Sequence, residues 1–109
     1  MIMNSVFHCA RAALVAVALM GASAVQAADV PVKIDNFVFT PAETEVPVGA
    51  TVVWTNGDDI PHTVVDADHK YKSSALDTGD TFSHTFTEPG TYEYFCSLHP
   101  HMTGKIIVK

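Results

Sequence analysis

From Ala28 onward, apolar and polar side chains alternate in short runs broken by turn-forming residues. Val30, Val32 and Ile34 occupy every second position, and Phe37-Val38-Phe39 follows before Pro41. Thr51-Val52-Val53-Trp54-Thr55 is built from strand formers and runs into the turn cluster Asn56-Gly57-Asp58-Asp59. His62 to Val65 opens the next predicted strand. Phe82, His84 and Phe86 again alternate within Thr81 to Phe86. Glu88-Pro89-Gly90 is a turn, Tyr92 to Cys96 reads as a strand, and Lys105 to Val108 closes the chain. No window sustains a helical period, so the pattern predicts an all-β sandwich or barrel. Asp66 to Asp77 is the least regular stretch and is read as a loop or a short helix.

The N-terminal segment has a different character. Arg11 precedes the apolar run Ala12 to Met20, and Gly21-Ala22-Ser23-Ala24-Val25-Gln26-Ala27 follows. Val25 and Ala27 fit a signal-peptidase site, with cleavage before Ala28. Residues 1–27 are therefore read as a cleaved signal peptide and residues 28–109 as one domain, which implies export. The alternative is an uncleaved membrane anchor, but the uncharged run is 17 residues, short of the roughly 20 that span a bilayer. Cys9 leaves with the signal, so the mature chain has one cysteine and no intramolecular disulfide.

Charge narrows the classes further. The chain carries 12 acidic residues against 6 basic ones, a net charge of −6. That balance argues against nucleic-acid binding. It favours solubility and leaves steering of a basic partner open.

The candidate chemistry lies before the last predicted strand, in Cys96-Ser97-Leu98-His99-Pro100-His101-Met102. His62 stands far upstream in a Pro-His-Thr turn. Together Cys96, His99, Met102 and His62 offer one thiolate, two imidazoles and one thioether, the donor set of a blue copper electron-transfer site. A lone cysteine is more plainly a buried, inert thiol; the neighbouring His99 and Met102 favour a ligand. Cu(II) tends toward tetragonal nitrogen and oxygen sites, whereas soft sulfur suits Cu(I). A trigonal set with a long thioether bond suits both, so geometry changes little on electron transfer. Groups around the ligands should fix the imidazoles and temper the sulfur, and Thr63 is the candidate for tying the two ligand loops together.

The extended pattern resembles a cupredoxin of the plastocyanin and amicyanin type, over nearly all of residues 28–109. The resemblance rests on Val48-Gly49-Ala50-Thr51-Val52-Val53-Trp54-Thr55-Asn56, on Pro61-His62, and on Phe86 through Cys96 (Phe-Thr-Glu-Pro-Gly-Thr-Tyr-Glu-Tyr-Phe-Cys). It continues through His99-Pro100 and Met102-Thr103-Gly104-Lys105. Cys-x2-His alone is a weak signal; this whole arrangement is a strong one. The methionine follows the second histidine after only two residues, as in amicyanin, whereas plastocyanins space it further. The resemblance implies a Greek-key β-sandwich of about seven to eight strands. It implies one copper ion held by His62, Cys96, His99 and Met102, and single-electron shuttling in the periplasm rather than enzymatic turnover. The partners it implies are periplasmic redox proteins: a c-type cytochrome, and methylamine dehydrogenase or another periplasmic oxidoreductase. A monomer is expected. Family members usually place Asn after the first histidine, where this chain has Thr63. Amicyanin has Pro and Phe where this chain has Leu98 and His101, so the partner-facing patch is altered.

By the same resemblance His99 is the exposed electron-transfer edge, ringed by Ile60, Pro61, Leu98 and Pro100. The other candidates read more simply. His101 is an exposed loop residue, His84 a structural histidine with a hydrogen-bond partner, and His69 a solvated one. Trp54, Tyr92 and Tyr94 are packing residues, with a corner role open to one tyrosine hydroxyl. A copper enzyme would need an open coordination position. A copper storage or delivery protein would favour an exposed, methionine- or histidine-rich site, and only Met102 of the four methionines lies beyond residue 27. Zinc on the same ligands would be redox-silent.

Overall fold

Eight strands and no helix form in the structure, a computed structural model that describes residues 28–109. The signal peptide predicted over residues 1–27 lies outside the described residues. The strands are β1 (Val30–Asp35), β2 (Val38–Thr40), β3 (Glu43–Val46), β4 (Thr51–Asn56), β5 (Val65–Asp66), β6 (Thr81–Thr85), β7 (Gly90–Cys96) and β8 (His99–Val108). They make two four-stranded sheets, in the orders β2-β1-β4-β6 and β3-β8-β7-β5. From β2 to β7 each connection passes from one sheet to the other. Both sheets are mixed: β1 runs parallel to β4 and β3 parallel to β8, and the remaining pairs are antiparallel.

The period-two pattern explains the burial. β1 buries Val32 and Ile34 and exposes Lys33 and Asp35. β4 buries Val52, Trp54 and Asn56, β7 buries Tyr94 and Cys96, and β8 buries Met102, Ile106 and Val108. All of these side chains but Asn56 belong to one hydrophobic core cluster, joined by Phe39, Tyr71, Leu76 and Phe86. Trp54 lies at its centre, edge-on to Tyr94 at 5.3 Å between ring centroids. Cys96 and Met102 belong to that cluster, so the sulfur end of the site is anchored in the core.

The structure departs from the sequence reading at several elements. β3 was not expected; Glu43, Thr44 and Glu45 present no apolar face, and the strand exists because its backbone pairs in parallel with β8 at the sheet edge. β8 starts at His99 rather than Lys105, because the ligand loop is itself drawn into pairing with β7. His62 pairs with Leu76 only as an isolated bridge, and β5 is confined to Val65–Asp66. Asp66 to Asp77 contains no helix. The Asp66 carboxylate accepts hydrogen bonds from the backbone N–H groups of Asp68 (3.0 Å) and Lys70 (3.1 Å), which turns the chain and seats Tyr71 in the core. The corner role falls to Tyr92, whose hydroxyl donates to the carbonyl of Glu88 at 2.8 Å.

Candidate metal centre

Two loops at one end of the sandwich build the site. The first is organised by Asn56, fully buried at the end of β4. Its Nδ2 donates to the carbonyls of Ile60 (2.9 Å) and Leu76 (2.8 Å), and its Oδ1 accepts from the N–H of Asp58 (2.8 Å). One side-chain amide thus folds the chain from Asn56 to Ile60 and delivers His62, which is fully buried and exchanges backbone hydrogen bonds with Leu76. The second loop is the β7–β8 hairpin. A register irregularity at Phe95/Cys96 pairs Cys96 with His99, leaving Ser97 and Leu98 as the turn.

The hairpin and the first loop bring three predicted donors together. Cys96 Sγ lies 3.7 Å from His62 Nδ1 and 3.7 Å from His99 Nδ1. All three donor atoms fall within 4.8 Å of one another. Metal–nitrogen and metal–sulfur bonds of about 2.0–2.3 Å at trigonal angles would separate the donors by roughly 3.5–4 Å, so the spacing fits one transition-metal ion. Cys96 is fully buried, His99 is half-buried, and Met102 is 3% exposed. A buried thiolate with two imidazoles, and a buried thioether on the strand that begins at His99, is a donor set that suits copper in both oxidation states.

Local bonds set the protonation of these groups. The Asp58 carboxylate can only accept, so His62 Nε2 carries the proton and donates to Asp58 Oδ2 at 2.8 Å. Burial alone would raise the Cys96 thiol. The N–H of Thr63, the two histidines and the N–H of Leu98 outweigh it and bring the thiol down to about 6. The thiolate form that a metal requires is thus favoured near neutral pH. Asp58 is held down at about 2, chiefly by the Phe37 N–H, with burial opposing and the Asn36 N–H and His62 assisting.

Thr63 joins the two loops as its position suggests. Its backbone N–H points at Cys96 Sγ (3.3 Å), and its Oγ1 accepts from the N–H of Ser97 (2.7 Å) and shares a hydrogen bond with Ser97 Oγ (2.8 Å). One threonine thus bridges the His62 loop to the Cys96 loop.

The fold and the donors can now be set beside known proteins. Residues 9–108 match the cupredoxin-like domain family. The chain is 35% identical over 105 residues to amicyanin-alpha of Methylorubrum extorquens, covering 92% of this chain and 88% of that protein.

The chain belongs to the cupredoxin family.

It is also 33% identical over 89 residues to plastocyanin of Sambucus nigra, covering 67% of this chain and 89% of that one. Among solved structures it superposes on a purple cupredoxin from Nitrosopumilus maritimus with a TM-score of 0.72 and 37% identity, covering 74% of this chain and 100% of the other. This cupredoxin is a small blue copper electron-transfer protein, not an enzyme, and its cofactor is one copper ion.

The remaining candidates fall into place around the centre. Leu98, Pro61 and Pro100 are exposed and Ile60 is half-buried. His101 and His69 are exposed. His84 is held by stacking on Tyr71 at 4.4 Å and by an edge contact with Phe86 at 4.8 Å, not by the hydrogen bond expected of it. Two residues at the site escaped the sequence reading. Asp58 looked like a turn residue and Phe37 like a strand residue. Phe37 in fact lies edge-on to His62 at 5.5 Å and to His99 at 5.0 Å. An aromatic where a tight turn wants glycine was the available signal.

Proposed function

We propose that His62, Cys96, His99 and Met102 hold the copper ion, and that the protein passes single electrons between periplasmic redox partners through the exposed edge of His99. The observation that carries this reading is the clustering of the Cys96, His62 and His99 donor atoms within 4.8 Å around a fully buried thiol. Bound copper supplies the one-electron Cu(II)/Cu(I) couple. The chain's residues do the rest. Asn56 and Thr63 fix the two ligand loops, and burial of Cys96 and Met102 excludes water and closes the site to substrate. His99 alone among the four reaches toward solvent, and its chain neighbours Leu98 and Pro100 are exposed. A small apolar patch suits brief redox encounters. A c-type cytochrome fits as acceptor, since an acidic chain is attracted to a basic partner. An amicyanin-like pairing with methylamine dehydrogenase rests on the amicyanin relatives and the short histidine-to-methionine spacing. Periplasmic location rests on the signal-peptide pattern of residues 1–27.

The test is optical. One equivalent of Cu(II) added to the metal-free protein should give intense blue thiolate-to-copper absorption and a narrow copper hyperfine splitting, both lost in Cys96→Ser. A pale spectrum with tetragonal copper parameters would reject the site and turn attention to copper storage or delivery.

A further inference from the structure

The connection between β1 and β2 breaks a local rule. Asp35 pairs with Val38 across it, and its two central residues, Asn36 and Phe37, both have positive φ (53° and 62°). A two-residue hairpin turn of this kind wants Asn-Gly, because glycine alone takes the second left-handed position without steric cost. Here a phenylalanine takes it, and the ring is not used in the core: Phe37 is 46% exposed. It lies edge-on to both imidazoles of the metal centre instead, with interplanar angles of 88° and 87°. Local preference given up at a site is a sign that the side chain is wanted there.

Something must hold the turn in this conformation, and the partner is Asp58. Its Oδ1 accepts from the N–H of Asn36 at 2.8 Å, and its Oδ2 accepts from the N–H of Phe37 at 3.0 Å. The same Oδ2 accepts the His62 Nε2 proton at 2.8 Å. Asp58 is in turn held through its own backbone: its N–H donates to Asn56 Oδ1 and its carbonyl accepts from Thr78 Oγ1 at 2.6 Å. Its side chain is only 12% exposed.

We propose that Asp58 is the positioning residue of the centre: one carboxylate couples the backbone of the β1–β2 turn to the His62 ring, and so sets both the orientation of His62 and the seat of Phe37 across the two imidazoles. This rests on the reading of His62 and His99 as ligands. Three consequences follow from the geometry. The His62 ring cannot rotate or change tautomer without breaking a charge-assisted bond. The nearby negative charge favours the more positive, oxidised state of the centre. Phe37 limits ring motion of both histidines when charge changes.

The decisive variant is Asp58→Asn, which loses the charge and cannot accept all three bonds. The blue protein should become easier to reduce, by at least tenfold in the Cu(I)/Cu(II) ratio, or about 59 mV for one electron. In the redox-silent zinc-loaded protein, the amides of Asn36 and Phe37 should exchange with solvent at least tenfold faster. A potential equal to the wild type, or turn amides still protected, would overturn the proposal. The zinc arm needs no copper, so a failure of the copper reading shows separately. Should Asp58→Asn not fold, Phe37→Gly replaces it. Relief of the turn should leave the melting temperature of the zinc-loaded protein unchanged or higher, yet copper should leave the variant severalfold faster. A variant that melts lower and keeps its copper as the wild type does would reduce Phe37 to a structural residue and overturn the proposal as well.

Discussion

At the scale of single residues, the proposed function separates side chains that would hold copper from those that would meet a partner. Leu98 belongs to the second kind: 51% of it is exposed, one residue before His99. Its contribution to the sulfur is made by the backbone N–H, which a substitution leaves in place. Leu98→Asp should therefore leave the blue absorption nearly intact while slowing reduction by a physiological partner about tenfold. Tenfold corresponds to about 1.4 kcal/mol, near what half-burying a leucine contributes. Stopped-flow reduction at fixed ionic strength measures it, and unchanged kinetics would remove the patch from the electron path. The residues of this scale were unevenly legible. Cys96, His99 and Met102 announce themselves by spacing, and Thr63 by its place beside His62. Asp58 does not, since its partners lie on a turn 21 and 22 residues earlier and only the fold brings the two together.

At the scale of elements, the β7–β8 hairpin has to be both a core ladder and a ligand loop. Tyr94 pairs with Gly104 across it, and the Tyr94 ring lies over the glycine. A Cβ built on Gly104 would fall among the ring atoms of Tyr94. Tyr94 cannot give way, being 1% exposed and packed on Trp54 and Phe39. Gly104→Ala should thus destabilise the protein by about 1–3 kcal/mol through overpacking, seen as a lower urea midpoint with an unchanged slope. A midpoint equal to the wild type would mean that the hairpin can spread without cost. The alternating strands β1, β4 and β7 were legible because each has one face in the core. β3 was not, because its existence depends on backbone pairing with β8, which leaves no periodic mark in Glu43-Thr44-Glu45-Val46. The early start of β8 was hidden for a related reason: Pro100 and His101 read as loop, and the strand reaches back to His99 only through the shift at Phe95/Cys96, which pairs Cys96 with His99.

At the scale of the whole molecule, the metal and the fold support each other. The described residues, 28–109, fold into one small sandwich, and a chain this short buries only about 60–65% of the surface its unfolded form exposes. The proposed ligands come from both loops, with His62 and Cys96 separated by 34 positions, so the donor arrangement exists only when the sandwich is folded. An ion bound to the folded state alone adds stability by mass action, about 4 kcal/mol at a free concentration one thousand times the dissociation constant. For a domain of this length each kcal/mol moves the melting temperature by roughly 4–8 °C. Stripping the metal with a chelator should consequently lower the melting temperature by about 15–30 °C, less any share that the unfolded thiolate and imidazoles recapture. Cys96→Ser, by removing the one thiolate, should shrink most of that gap. Calorimetry of the loaded, stripped and substituted proteins measures all three. Equal melting temperatures for the loaded and stripped protein would mean that the folded arrangement adds nothing to metal affinity. The hydrogen bonds of Asn56, Thr63 and Asp58 would then be holding the loops with or without copper. The net charge of −6 on the whole chain would remain available for steering a basic partner, because it does not depend on how much the metal stabilises the fold.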